Sequence, residues 1–186
     1  MPPRIKVKRE DIIDSAVKIV RERGWGAINA RDIAKSLNCS TQPIFWNFKN
    51  LDELKFEVIK RAEENCQKYI QREIEKGEYP EYKASGMAYI RFAKEEKELF
   101  KLLYMRDRAS ESIEPTPELN NQMEDIVHKN TGLDGEKKKL FHFEMWAFVH
   151  GIATMFATNF VDMEWEIVSK MLTDAYEGLK KRYEME

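Results

Sequence analysis

Residues 29–49, NARDIAKSLNCSTQPIFWNFK, decide the fold. Asn29 is placed to cap a helix from about Ala30 to Leu37, with Asp32 three residues on in a box-like arrangement. Ile33, Ala34 and Leu37 fall on its inward side, and Ala34 is small where two helices must approach closely. Asn38-Cys39 form a short turn. Ser40 is expected to cap a third helix, about Thr41 to Asn47, where Pro43 is tolerable because first-turn amides have no intrahelical acceptor. Ile44, Phe45 and Phe48 are expected to anchor inward, leaving Thr41, Gln42, Pro43 and Trp46 outward. Two short helices and a tight turn have the form of a helix-turn-helix, whose second helix suits the major groove of a duplex.

The flanking sequence extends this unit. Before it, Ile12, Ile13, Ala16, Ile19 and Val20 line one side of a helix from about Glu10 to Arg23, and Gly24 supplies a left-handed stop. After it, Asn50 caps a long fourth helix, Leu51 to about Lys76, with Glu53 three residues on. The remainder reads as helices near 81–94, 97–106, 117–129, 135–160 and 163–183. Thr116-Pro117-Glu118 is a start signal, with a cap, a proline at the first position and an acid near the positive end. Asp162 is expected to cap the last helix, whose stripe is Ile167, Val168, Met171, Leu172, Ala175, Tyr176 and Leu179. No alternating pattern persists for a strand's length. The class is therefore all-α. Residues 1–52 form a three-helix head, the helix over 51–76 connects, and residues 77–186 form a helical bundle.

Charge divides along the same line. The 186 residues carry a net charge of −2, but residues 1–50 hold ten Lys/Arg against five Asp/Glu, and the other 136 sum to −7. A basic head on an acidic body suggests a polyanion-binding module joined to something else. No apolar run approaches the ~18–20 residues of a membrane span, and the N-terminal MPPRIKVKRED lacks the apolar stretch of a secretory signal. Cys39 and Cys66 are too few for a disulfide framework and suit a reducing cytoplasm, Cys39 as a turn residue and Cys66 in a helix core.

Side-chain chemistry assigns roles on the head. Thr41 and Gln42 can read base edges, and Pro43 or the Thr41 methyl can meet a thymine methyl. Lys49 suits a phosphate, as do the amides at Asn50, Leu51 and Asp52, while Arg4, Lys6, Lys8 and Arg9 can neutralise flanking backbone. With these residues in place, the head resembles the TetR family of transcriptional regulators. Gly24, Asn29, Ile33, Ala34, Ser40, Ile44, Phe45, Phe48 and Leu54 match its pattern in order and spacing over about 50 residues. Asn38-Cys39 stand where the family has Gly-Val, Phe45 where it has a phosphate-contacting tyrosine, Asn47 for a histidine and Leu51 for a lysine. Trp46 offers an indole N–H to a phosphate in compensation. The expected DNA-contacting set is Asn29, Ser40, Thr41, Gln42, Pro43, Phe45, Trp46, Asn47, Lys49 and Asn50.

In the body, Trp146, His150 and Gly151 of MWAFVHGIATM match a W-x-x-x-H-G signature of one branch of that family. The resemblance implies an inducer site among helices 81–160, with an expected lining of Met87, Phe92, Tyr104, Met123, Phe143, Trp146 and His150 and hence an apolar, partly aromatic ligand. Ala147, Gly151, Thr154 and Thr158 form a small-residue face expected at a two-fold interface with Val168, Met171, Leu172 and Ala175 of the last helix. His142 and His150 lie eight residues apart without clustered partners, so neither a metal site nor any cofactor is expected. The resemblance implies a homodimeric, non-enzymatic regulator of double-stranded operator DNA, with repression relieved by ligand as the expected mode and activation as the alternative. The rival reading is a helical ligand-binding protein or small enzyme without DNA function, against which no phosphate-cradling loop, metal-spaced cluster or nucleophile elbow is seen.

Overall fold

In the computed structural model, which describes residues 7–107 and 118–183, every regular element is helical. Helix α1 spans Arg9–Arg23, and Asp11 accepts the Lys8 backbone N–H at 3.0 Å, tying down its first turn. It buries Ile12, Ile13, Ala16, Val17, Ile19 and Val20, and ends at Gly24, whose φ of +80° a side chain would oppose. A 3-10 turn at Trp25–Ala27 leads to α2, Ala30–Ser36. The Asn29 cap is as expected: its Oδ1 accepts the Asp32 N–H at 2.9 Å. The Asp32 carboxylate pairs with Arg23 at 2.7 Å.

The turn explains why Asn-Cys replaces Gly-Val. Asn38 sits at φ +52°, the left-handed region that asparagine tolerates better than other side chains. Its N–H donates to Lys35 O, and that of Cys39 to Ala34 O, closing α2 with a Schellman motif. Helix α3 is Gln42–Asn47. Ser40 does not cap it: the cap position is Thr41, and no side-chain oxygen satisfies the first amides. Ile44 and Phe48, four residues apart, are both 1% exposed, whereas Phe45 is 50% exposed. Phe45 is therefore no anchor, because it lies about 100° around the helix from the Ile44–Phe48 stripe.

Helix α4, Leu51–Glu75, starts as expected, with Asn50 Oδ1 accepting the Glu53 N–H at 2.9 Å. The remaining helices are α5 (Glu81–Glu95), α6 (Lys97–Tyr104), α7 (Glu118–Thr131), α8 (Gly135–Ala157) and α9 (Trp165–Arg182). Helix α9 begins later than expected, and Asp162 is not its cap: that carboxylate pairs with Lys94, and Glu164 holds the cap position. The start signal at Thr116-Pro117 and the basic residues Arg4 and Lys6 lie outside the described residues.

Two compact units result. One takes in the described residues to Asn65 and from Glu96 to Asp107; the other runs from Cys66 to Glu95 and from Glu118 onward. In the first, α6 packs on α1, placing Leu99, Phe100, Leu102 and Leu103 in a core with Ile12, Ile33, Ile44, Phe48 and Leu54. Helix α6 thus clusters with the head, although sequence order places it in the body. In the second unit, α5 and α8 share the largest interface, joined by α7 and α9. Met87 and Phe92 are core residues here, 1% and 0% exposed. Gly86 permits close approach, since a Cβ there would stand 3.0 Å from Leu172 Cδ2.

Candidate functional site

The outward side of α3 presents Gln42, Phe45 and Trp46, with Ser40, Lys49 and Asn50 exposed beside it and Thr41, Pro43 and Asn47 half-buried. Trp46 is 71% exposed. Large aromatics so exposed are uncommon without a partner. From Phe45 to Asn50, with Glu53, the surface forms a shallow open depression. Some of the expected contacts already have structural work. Asn29 uses its side chain on the α2 cap and on Ala27 O, and Asn47 Nδ2 donates to Pro43 O. Asn50 Oδ1 is taken by the α4 cap.

Arg9 is likewise engaged. Its guanidinium lies 4.1 Å from the Phe48 ring centroid, donates to Asn47 O, and pairs with Glu53 at 3.1 Å and Glu57 at 2.9 Å. The Glu57 hydrogen bond leads in holding Arg9 above its ordinary pKa. It is a clamp between α3 and α4, not a cation held in reserve for a phosphate. Glu53 also accepts the Lys49 N–H at 2.7 Å, which fixes the backbone just after the recognition helix. That bond is the first cause of its lowered pKa.

In the second unit a cavity of about 470 Å³ opens among α4, α5, α7, α8 and α9. Its size falls in the ligand-pocket range of ~300–1,000 Å³. Of the expected lining, Met123 and Trp146 are on its wall, and His150 is not but bonds the wall residue Tyr89. Met87 and Phe92 are buried in the core, Tyr104 belongs to the first unit against Phe100, and Phe143 points outward at 62% exposure. The wall residues missed from sequence include Tyr82, Lys83, Tyr89, His142 and Tyr176. A signal was present: Tyr82 and Tyr89 are seven apart, one face of α5, opposite His142 and His150, eight apart on α8.

They meet as two similar rungs. Tyr82 Oη lies 3.1 Å from His142 Nδ1, and Tyr89 Oη 2.9 Å from His150 Nδ1. Trp146 stacks on the His150 ring, 4.8 Å between centroids. Burial raises both tyrosine pKa values and lowers both histidines, in His142 against an opposing pull from Glu124.

A pH dependence follows. An unfolded histidine titrates near ~6.5, so with folded values below this the unfolded chain binds protons first as pH falls. Stability is therefore lost below that pH. Thermal unfolding at pH 7.5 and 5.5 should show a lower midpoint at acid pH, and His142→Gln with His150→Gln should narrow the gap. An undiminished gap in the double variant removes the histidines as its cause.

The outer side of α8 carries Ala147, Gly151, Thr154 and Thr158, flanked by Leu140, Phe143, Phe148 and Met155, which are 49%, 62%, 38% and 38% exposed. A Cβ on Gly151 would meet nothing within 4 Å. On α9 the expectation needs correction. Val168 and Leu172 are 0% and 3% exposed, because they pack inward, and Leu172 lines the cavity. Met171 and Ala175 are half-buried, Ala175 against the cluster around Phe141.

A helix-turn-helix with an exposed second helix, and a helical unit holding an apolar cavity, define the class of a ligand-binding DNA regulator. A family model described as tetracyclin repressor-like, C-terminal domain, matches residues 82–174, half of the chain, which belongs to this family of transcriptional regulators. No curated protein matches it in sequence. The fold is that of a TetR-family regulator from Vibrio parahaemolyticus (14% identity, TM-score 0.69, 92% of this chain and 97% of that one). It is also that of a TetR-like regulator from Rhodococcus sp. RHA1 (14%, 0.68, 96% and 98%). The multidrug-binding protein EbrR, solved with malachite green, is similar too (17%, 0.66, 90% and 97%). No helix among the described residues is long and apolar enough to cross a membrane.

Proposed function

We propose that the chain is a homodimeric transcriptional repressor whose operator affinity is lowered when a small apolar ligand enters the α5–α8 cavity. The observation that carries this reading is the division of labour on α3: Ile44 and Phe48 are buried, while Gln42, Phe45 and Trp46 face solvent. A six-residue helix fixed from behind in this way can place its first turn in a major groove. The DNA-binding part is the head over residues 1–52, α4 is the connection and lends Ile70 to the cavity, and residues 77–186, apart from α6 packed in the head's unit, hold ligand and partner. Two copies joined through the outer face of α8 present two recognition helices, which suits half-sites about one helical turn, ~34–36 Å, apart. Such a regulator works beside its DNA, in the cytoplasm. Ligand release of the operator requires different ligand affinity in the two states, about 1–3 kcal/mol of coupling.

Selection of bound sequences from a random DNA pool tests the whole reading, and should return a site with dyad symmetry. Salt-sensitive binding with no sequence preference would remove the operator. Within that assay, two substitutions separate phosphate from base contact. Lys49→Ala should weaken binding to all sequences and reduce the salt slope by about one. Gln42→Ala should instead lower discrimination at one base position, by about 1–3 kcal/mol, with the slope unchanged.

A further inference from the structure

Taking the cavity as the effector site, its charge indicates what enters. Lys83 stands on its wall, beside Tyr82 on α5. The ammonium donates to Thr173 Oγ1 at 2.8 Å and lies 4.8 Å from the Tyr79 ring centroid. Among the described residues, no carboxylate is within ion-pair distance of it. Lys76, Lys94, Lys129, Lys138 and Lys170 of this unit each have a carboxylate partner, and among the lysines without one Lys83 is the one on the cavity wall. Burial lowers the Lys83 pKa, with no neighbouring anion opposing the shift. The other formal charge on the wall is Glu177, an exposed residue one turn of α9 beyond Thr173. The rest of the wall is largely apolar and aromatic.

Aromatic rings of this kind also attract cations. A cation entering here would meet the like charge of Lys83 at the exposed rim of the cavity. An anion meets an ammonium with three donors, one of them engaged by neutral Thr173. We propose that the ligand is an amphipathic monoacid, with an apolar chain or ring against the Tyr, Trp and Met side chains and its single carboxylate at the Lys83 ammonium.

Three probes of one chain length test this by calorimetric titration of the full-length protein: decanoate, decan-1-ol and decyltrimethylammonium, each below self-association. Decanoate should bind about tenfold tighter than the alcohol, as a charge-assisted hydrogen bond warrants, and the quaternary amine more weakly than either. Lys83→Met should reduce decanoate to the level of the alcohol while leaving the alcohol's affinity unchanged, and Lys83→Arg should restore the preference. Equal binding of acid and alcohol, tightest binding of the amine, an unaltered Lys83→Met variant, or no binding of any probe overturns the proposal. Operator binding measured in parallel separates it from the effector reading. Decanoate held through Lys83 with operator affinity unchanged supports the acid preference and overturns the inducer role.

Discussion

Gly151→Arg should convert the proposed homodimer to a monomer and remove most of the operator affinity. From Leu140 onward helix α8 is largely apolar on every side, and a helix of that kind is covered on both sides. Its inner side packs Phe141, Met145, Val149, Ile152 and Phe156, yet Leu140, Phe143, Phe148 and Met155 remain exposed around the small stripe at Ala147, Gly151, Thr154 and Thr158. Small residues let a second helix approach to the ~8–10 Å of close packing, and in the proposed dimer a two-fold axis would bring the same face from both copies together. One substitution therefore acts twice at the crossing. Within the protomer a Gly151 side chain meets open space, and arginine is the better helix former by about 1 kcal/mol. Protomer folding should thus survive. Sedimentation should report one subunit mass with far-ultraviolet circular dichroism unchanged. A monomer loses the linked second head, costing about 100-fold or more in apparent affinity for a two-half-site operator. A variant that still sediments as a dimer would move the interface elsewhere.

Helix positions were legible because their punctuation is local. Asn29 and Asn50 cap as their chemistry dictates, Gly24 ends α1 with positive φ, and Asn38 stands in for glycine in the turn. What failed depended on direction or on distant partners. Hydrophobicity alone puts Phe45 inward, but a helix of two turns has room for one buried stripe, and Ile44 with Phe48 occupies it. The Val168–Leu172 stripe suits a partner as well as it suits the protomer core, and nothing in a stripe says whether it meets α5 and α8 or a second copy. Tyr104 was read with the body because α6 follows α5 in sequence, whereas α6 packs against α1. The cavity wall was the least legible part. Its polar members come from four helices, and only the paired seven- and eight-residue spacings of Tyr82, Tyr89, His142 and His150 hint at it.

Two neighbouring aromatics on one short segment should give opposite results when truncated, which separates anchor from probe. Phe48 is 1% exposed and also carries the Arg9 guanidinium on its ring. Phe48→Ala leaves a cavity behind α3 and should cost about 3–5 kcal/mol, a large share of a small unit's stability. Arg9 would lose its platform while its bonds to Asn47, Glu53 and Glu57 are strained by the collapse, so the end of α3 loosens as well. Operator binding should disappear with the fold of the head, seen as a lower unfolding midpoint in denaturant. Trp46, 71% exposed, has little packing to lose, and Trp46→Ala should shift stability by no more than about 0.5 kcal/mol. Its operator affinity should nevertheless fall about tenfold, the effect of losing one charge-assisted hydrogen bond to a phosphate. Trp46→Phe, which keeps a ring and loses the indole N–H, should resemble the alanine variant in affinity. Full binding by Trp46→Ala would exclude the phosphate contact, and a marked loss of stability would mean that the indole packs against the head after all.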